Sequence, residues 1–246
     1  MWEEEHSRET LNETKKISAS YEAKGRKALD DAKIELVKLG FNTDNIFTKF
    51  QSRKFSKIRD IINEGEKGHY DALVLGRRGL SWLEEAFDES TSKEFLLNKA
   101  TFPIWLCRNS NTENKNVLIC LDGSEASYRI ADHVGYILGN DKRHGITILT
   151  INTRGKINKE KSDTIFANAI KHITANGFSP DTVSTRFLTS DKTADNIIRI
   201  AKEGRFAAVA VGHDSKEQGF FRRLFSGSVC SRLSRELEKT ALWIQH

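Results

Sequence analysis

Two spacings of apolar residues take turns along the chain. Short unbroken apolar runs alternate with longer stretches in which apolar residues recur every third or fourth position. The runs suit strands buried on both faces, and the stretches suit helices with one buried face. From residue 1 to about residue 40 there is no proline and little glycine. Tyr21, Ala28, Ala32, Leu36 and Leu39 fall there at helix-like intervals, which predicts a long first helix stopped at Gly40. NIFTKF (45–50) alternates weakly and predicts a short strand. Ile58, Ile61 and Ile62 share one face of a predicted helix over 56–66. DALVL (71–75) reads as a buried strand that runs into Gly76-Arg77-Arg78-Gly79. A helix over roughly 90–98 and a strand at Pro103-Ile104-Trp105-Leu106-Cys107 complete this half.

The polar stretch NSNTENK (109–115) lacks periodicity and reads as a linker between domains. Beyond it, NVLICL (116–121) predicts a strand that ends in Asp122-Gly123-Ser124. A helix over 124–138 presents Ala131, Val134 and Leu138. A strand over 146–151 and a helix over 163–175 follow, then a strand over 182–188 and a helix over 194–202. The final stretch, 207–246, organises the rest. Its run Ala207 to Val211 is a buried strand ended by Gly212, and a glycine-containing loop holds Gly219, Arg222 and Arg223. Ser226-Gly227-Ser228 then precedes Val229, Leu233 and Leu237 at helical spacing, with Glu236 and Lys239 on the solvated face. Strands alternating with helices throughout imply parallel sheet with helices on both faces.

A strand, glycine loop and helix start aim backbone N–H groups and the positive end of a helix at a bound anion. The same residues also describe an ordinary βα connection whose glycines only make turns, and spacing alone does not separate the two.

Composition narrows the class. The 246 residues suffice for one large domain or two ordinary ones. Hydrophobic residues make up 38% and charged residues 30%, which reads as a well-solvated soluble protein. No apolar run approaches membrane-spanning length, and the acidic start MWEEEHSRET lacks a signal-peptide core. Cys107, Cys120 and Cys230 are widely spaced, which predicts buried thiols in a reducing, cytoplasmic compartment and neither a disulfide nor a metal site. A net charge of +5 with interspersed signs gives no concentrated basic patch, so nucleic acid is not an expected partner, and neither is a membrane. No Ser-His-Asp arrangement, paired-carboxylate signature or metal-ligand cluster supports catalysis.

The chain also repeats itself. DALVLGRRG (71–79) matches AAVAVGHDS (207–215), and FPIWLC (102–107) matches TALWIQ (240–245). The interval from Ser90 to Trp105 equals that from Ser228 to Trp243, while Gly76 to Ser90 is two residues shorter than Gly212 to Ser228. Two copies of one unit, differing by a short loop insertion, account for this.

On these residues the second half resembles a universal stress protein domain, and the whole chain resembles a tandem member of that family. In the family, strand 1 ends in an acidic residue, a small residue and Ser or Thr; Asp122-Gly123-Ser124 stands there. Nucleotide-binding members carry G-x2-G-x9-G-[ST] after strand 4. Gly212 matches the start of that motif and Gly227-Ser228-Val229 its end. Ser215 replaces the second glycine, and two extra residues enlarge the loop. The resemblance implies an α/β fold of two doubly wound parallel-sheet domains, Rossmann-like and akin to the adenine nucleotide alpha hydrolases. The division is a truncated domain over 1–108, a linker over 109–115 and a complete domain over 116–246. The first half matches from helix 2 onward and lacks strand 1, helix 1 and strand 2. It carries Gly76 and Gly79 but Glu89-Ser90 where Gly-Ser belongs, which makes it a poor nucleotide site.

The resemblance assigns the roles. Asp122 would hydrogen-bond the adenosine part of ATP or AMP, with Gly123 and Ser124 beside it; as a helix N-cap, Asp122 would need no ligand. Ile151 would contact the base, and Gly212 would let the ligand approach. Gly227, Ser228 and Val229 would meet the phosphates, and Mg2+ would accompany ATP. Arg222 and Arg223 would either add charge there or stand solvated, and His213 reads as a solvated loop residue. The functional expectation is a stress-response regulatory module without efficient turnover, hence not an enzyme. The alternative is an interaction or scaffold member of the same fold that has lost the nucleotide, with an unknown protein partner. In the family, last strands meet across a two-fold axis, so an intramolecular pseudo-dimer is expected with Trp105 and Trp243 near its interface, and further homo-oligomers are compatible with it. The missing strands would leave the strand at 72–75 with an open edge, to be filled by sequence upstream of Met1 or by another segment or chain.

Overall fold

The computed structural model describes residues 2–52, 54, 55, 57–76, 102–109, 111–139, 141–153, 155, 157–212 and 229–245. The chain falls into two compact units, Met1–Lys54 and Phe55–His246. The first contains helix α1 (Trp2–Lys38). Its Gly25 and Arg26 carry the Phe50 ring, with the guanidinium 5.4 Å from the ring centroid. The helix is as expected, but Tyr21 and Leu36 on its apolar face, and Leu39 just beyond its end, are exposed. The strand expected over 45–50 does not form. Asn42 caps a 3-10 turn over Thr43–Asn45, and residues 46–50 pair with no neighbouring strand. Alternation makes a strand only where a ladder partner takes up the backbone groups, and Phe47 is exposed.

The second unit is built on one sheet of seven strands: β1 (Leu73–Gly76), β2 (Ile104–Cys107), β3 (Val117–Cys120), β4 (Ile146–Asn152), β5 (Val183–Thr189), β6 (Ala208–Gly212) and β7 (Ala241–Gln245). They lie in the order β1-β2-β7-β6-β3-β4-β5. Every neighbouring pair is parallel except β2 and β7. Numbered by their sequence within the second half, the strands from β5 to β7 lie in the order 3-2-1-4-5. The helices are α2 (Lys57–Gly68), α3 (Glu125–Leu138), α4 (Lys159–Ala175), α5 (Thr193–Glu203) and α6 (Val229–Glu236). Helix α4 starts four residues before its first expected position because Asn158 caps a wholly polar first turn, its side chain accepting the Lys161 N–H. The helix expected over 90–98 lies outside the described residues.

Strand residues alternate between the two faces of the sheet, so neighbours feed different cores. Ile119, Ile148 and Ala210 pack under Ile130 and Val134 of α3 and Ile165 and Ile173 of α4. Leu118, Leu149, Val209 and Leu242 pack against Ile197 and Ile200 of α5 and Leu233 of α6. Ile62 of α2 belongs to this second layer with Leu75, Ile104 and Leu106. The polar stretch 109–115 lies against neighbouring turns, Asn111 N–H donating to Lys239 O and the Asn114 amide to Phe206 O.

In the β1–β2 pair Leu73 stands opposite Ile104, and in the β6–β7 pair Val209 stands opposite Leu242. These are the positions that the sequence match between the halves equates. Strands β2 and β7 run antiparallel with Trp105 opposite Trp243. Their rings stack with centroids 4.1 Å apart and planes 6° off parallel. His133 of α3 meets both rings edge-on, and Trp105 Nε1–H donates to His133 Nε2 at 3.1 Å.

Candidate functional site

The order of the strands locates the site. From β3 the chain steps outward to β4 and β5, and α5 then carries it back across β3 to β6, from where it continues to β7 on the far side. Connections leaving β3 and β6 in opposite directions open a crevice at their carboxyl ends, where open α/β sheets hold ligands. Cys120 stands opposite Val211, so the Asp122 loop emerges beside Gly212. These two expected residues, far apart in sequence, are thus brought together.

The Asp122 loop is ordered from within. Asp122 is exposed, and its Oδ1 accepts the Ser124 N–H at 2.9 Å. Ser124, two residues on, is the N-cap of α3, its Oγ accepting the Ser127 N–H at 3.2 Å. The cap reading of Asp122 is therefore corrected: the cap is Ser124, because only there does a side-chain oxygen reach the third helical N–H. Gly123 between them has φ +85°, a left-handed conformation that favours glycine. At Gly212 the reason is space: a Cβ would collide with the backbone of Ala126 and Ser127 in the first turn of α3. This glycine admits the helix whether or not it admits a ligand.

Ile151 lies at the end of β4, half-buried, with its side chain packed on the α5–α6 core layer. Next to it are polar groups that the sequence reading passed over. Asn152 Oδ1 accepts the Ile157 N–H at 3.0 Å, and Asn152 O accepts the Ser190 N–H at 3.0 Å. Thr153 Oγ1 lies 3.3 Å from Thr193 Oγ1 at the start of α5. The Thr150 hydroxyl is fully buried without a hydrogen-bond partner, which is rare for a side-chain hydroxyl. The signal was present, since hydrophilic residues close an otherwise apolar run, but it does not distinguish a site from a strand end.

Cys120 precedes this loop, and burial, reinforced by nearby Cys230, pushes its thiol far above the ordinary thiol range. A thiol held protonated is a poor nucleophile. All three cysteines are unbridged and, taken as whole residues, half-buried. Among the described residues no group of His, Cys, Asp or Glu side chains is disposed to hold a metal ion, and no helix is long and apolar enough to cross a membrane. A separate groove of about 730 Å³ runs along the outer face of α3, from Glu125 past Asp132 to Tyr136, with Asp71 and Gln245 on its rim. Asp122, Ile151 and Gly212 do not line it. Val229 opens α6. Arg222, Arg223, Gly227 and Ser228 lie outside the described residues, as do His213, Ser215, Gly219, Gly79, Glu89 and Ser90.

No family model and no curated protein matches the chain. Solved structures do. A universal stress protein from Archaeoglobus fulgidus DSM 4304 superimposes with a TM-score of 0.54 at 16% identity, over 76% of this chain and 63% of its own. The chain thus spans less than two thirds of that protein's length. A functionally unknown protein from Pseudomonas aeruginosa PAO1 superimposes with a TM-score of 0.51 at 16% identity, over 90% of this chain and 77% of its own. A universal stress protein in complex with cAMP aligns at 22% identity over 54% of this chain and 96% of its own, but its TM-score of 0.43 is too low to bear on the site. With its strand order and its helices on both faces of a mainly parallel sheet, the chain has the α/β fold of a universal stress protein.

Proposed function

We propose that the chain is a tandem regulatory module of the universal stress protein kind, holding one adenine nucleotide, ATP or AMP, in its second half without efficient turnover. In this reading residues 1–108 form an incomplete first repeat, 109–115 the linker and 116–246 the complete repeat. The antiparallel seam with Trp105 on Trp243, and the equal registers of the β1–β2 and β6–β7 pairs, support an internal pseudo-two-fold relation between the halves. The observation that carries the binding reading is the strand-order reversal, which sets the exposed Asp122 carboxylate beside the end of β6.

Asp122 would accept hydrogen bonds from the sugar, and the apolar Ile151 would border the base. Val229, which opens α6, and Gly227 and Ser228 just before it in the sequence would meet the phosphates, where N–H groups and the helix dipole favour negative charge. Arg222 and Arg223 would supplement them. Mg2+ would arrive with ATP, its coordination completed by the phosphates, as magnesium usually binds. The residues present fit such a ligand in one further respect: Thr150 leaves an unpartnered hydroxyl in the strand that borders the Asp122 loop.

One observation favours an interaction module without nucleotide. The close approach of α3 accounts for Gly212 with no ligand. The two readings part on a direct test. Denaturing the purified chain and chromatographing the supernatant should release ATP or AMP, and titration calorimetry on the stripped protein should show saturable binding. Asp122→Ala should weaken it roughly 2- to 10-fold, the loss of one hydrogen bond of about 0.5–1.5 kcal/mol. No binding at millimolar ATP or AMP would leave the interaction module as the function.

A further inference from the structure

Two of the three cysteines, far apart in sequence, face one core layer. Cys120 is the last residue of β3, two positions after Leu118, so both side chains leave the same face of the strand. That face carries the layer under α5 and α6, which contains Leu118, Leu233 and Leu237, with Cys120 and Cys230 packed against it. Cys230, Leu233 and Leu237 follow one another at helical spacing, so Cys230 stands one turn before Leu233 on the buried side of α6. Cys107 packs against the other layer, under α3 and α4, with the sheet between.

Direction then sets the two sulfurs side by side. Strands β6 and β7 are parallel and α6 lies between them in the chain, so α6 starts at the carboxyl ends of the strands and runs against them. The step from Leu118 to Cys120 climbs about 6.6 Å toward those ends. The step from Leu233 back to Cys230 climbs about 4.5 Å the same way. Arg232 Nη2, early in α6, lies 2.7 Å from Asp195 Oδ1 in the first turn of α5, the helix that crosses β3 on its way to β6. The starts of the two helices are thereby tied together over the end of β3. The charge of Cys230 acting on the Cys120 thiol agrees with that placement.

We infer that Cys120 and Cys230 are a redox-modification site, a thiol pair that hydrogen peroxide closes into a disulfide and a thiol reductant reopens. The bridge would join β3, which leads into the Asp122 loop, to the first turn of α6. The inference uses neither the nucleotide nor the repeat relation between the halves, so it stands or falls without them. Cys120 is held protonated, so Cys230 supplies the attacking thiolate. Its sulfur takes one oxygen of the peroxide, the O–O bond breaks, and the departing hydroxide is protonated to water. The Cys120 sulfur, held close, then attacks the sulfenic sulfur of Cys230. The S–S bond forms, the S–O bond breaks, and the Cys120 proton leaves with the hydroxide as a second water. Two thiols give up two electrons and one peroxide accepts them.

The test treats the folded full chain with a small excess of hydrogen peroxide, alkylates remaining thiols in denaturant and maps the digest by mass spectrometry without reduction. The expected product is one linked peptide pair, Cys120 with Cys230, with Cys107 alkylated and both thiols restored by dithiothreitol. Cys120→Ser should leave Cys230 as a sulfenic acid that dimedone labels. Cys230→Ser should slow the oxidation of Cys120 at least tenfold. The linked pair in the unmodified chain is decisive even where a variant fails to fold. A bridge that uses Cys107, a bridge between two copies of the chain, or sulfinic acid at Cys230 with no bridge overturns the inference. So does retention of all three thiols under peroxide that bridges the urea-unfolded chain.

Discussion

His133 shows how one side chain can report on the seam between β2 and β7. It accepts from Trp105 through Nε2, so its ring proton sits on Nδ1 and the imidazole is neutral. Burial lowers its pKa from 6.5 to about 4, and Asp71 and Asp132 only partly oppose this. A second proton would have to enter at Nε2 and would break the bond to Trp105. As the pH falls through 6.5 the unfolded chain takes up a proton that the folded chain refuses until about pH 4. Stability therefore rises with pH across that window and is lost on acidification, by an amount on the order of 2–3 kcal/mol from this group. Urea melts monitored by tryptophan fluorescence at pH 7, 5.5 and 4.5 should show the loss. His133→Gln, which offers an amide oxygen to Trp105, should flatten that part of the profile. An unchanged profile in the variant would assign the acid sensitivity to other groups.

At the scale of elements, the contact between the end of β6 and the first turn of α3 holds the Asp122 loop in place. Gly212→Ala puts a methyl group into the backbone of Ala126 and Ser127, which cannot rotate away as a side chain would. Either α3 shifts or β6 does, and overpacking of this kind costs about 1–3 kcal/mol. The expected result is a lower urea midpoint with an unchanged m-value. A variant as stable as the parent would show that α3 has room to move. The same contact explains a limit of sequence reading. A glycine ending a buried strand is visible as a stop, but whether it makes room for a ligand or for a helix depends on what the fold brings alongside.

At the scale of the whole molecule the two halves are unequal, and the binding reading predicts unequal behaviour. Asp122, Gly212, Gly227 and Ser228 all belong to the second half, while the first half carries Glu89 where the sequence match calls for glycine, and among the described residues no strand precedes β1. Titration calorimetry should give at most one adenine nucleotide per chain. Gly227→Asp should abolish it by adding bulk and negative charge where phosphates would approach. Glu89→Gly should not create a second site, since a pocket needs the crevice between two strands and not only a permissive helix start. Binding that survives Gly227→Asp would put the nucleotide elsewhere.

Much of this was legible in the order of residues. Buried runs such as Val117–Cys120 and Ala208–Gly212, and helical faces such as Ile197 with Ile200, announce themselves because burial on two faces or one leaves a period in the sequence. That alternation implied a parallel sheet, and the matches 71–79 with 207–215 and 102–107 with 240–245 anticipated strands that share one register. The residues 45–50 show the opposite case, since alternation describes one strand and pairing requires two. Only the tertiary structure decided that Ser124 and not Asp122 caps α3, that Gly212 meets a helix, and that Trp105, Trp243 and His133 form one cluster. Each of these depends on which backbone arrives next to which, a distance through space that no local period encodes.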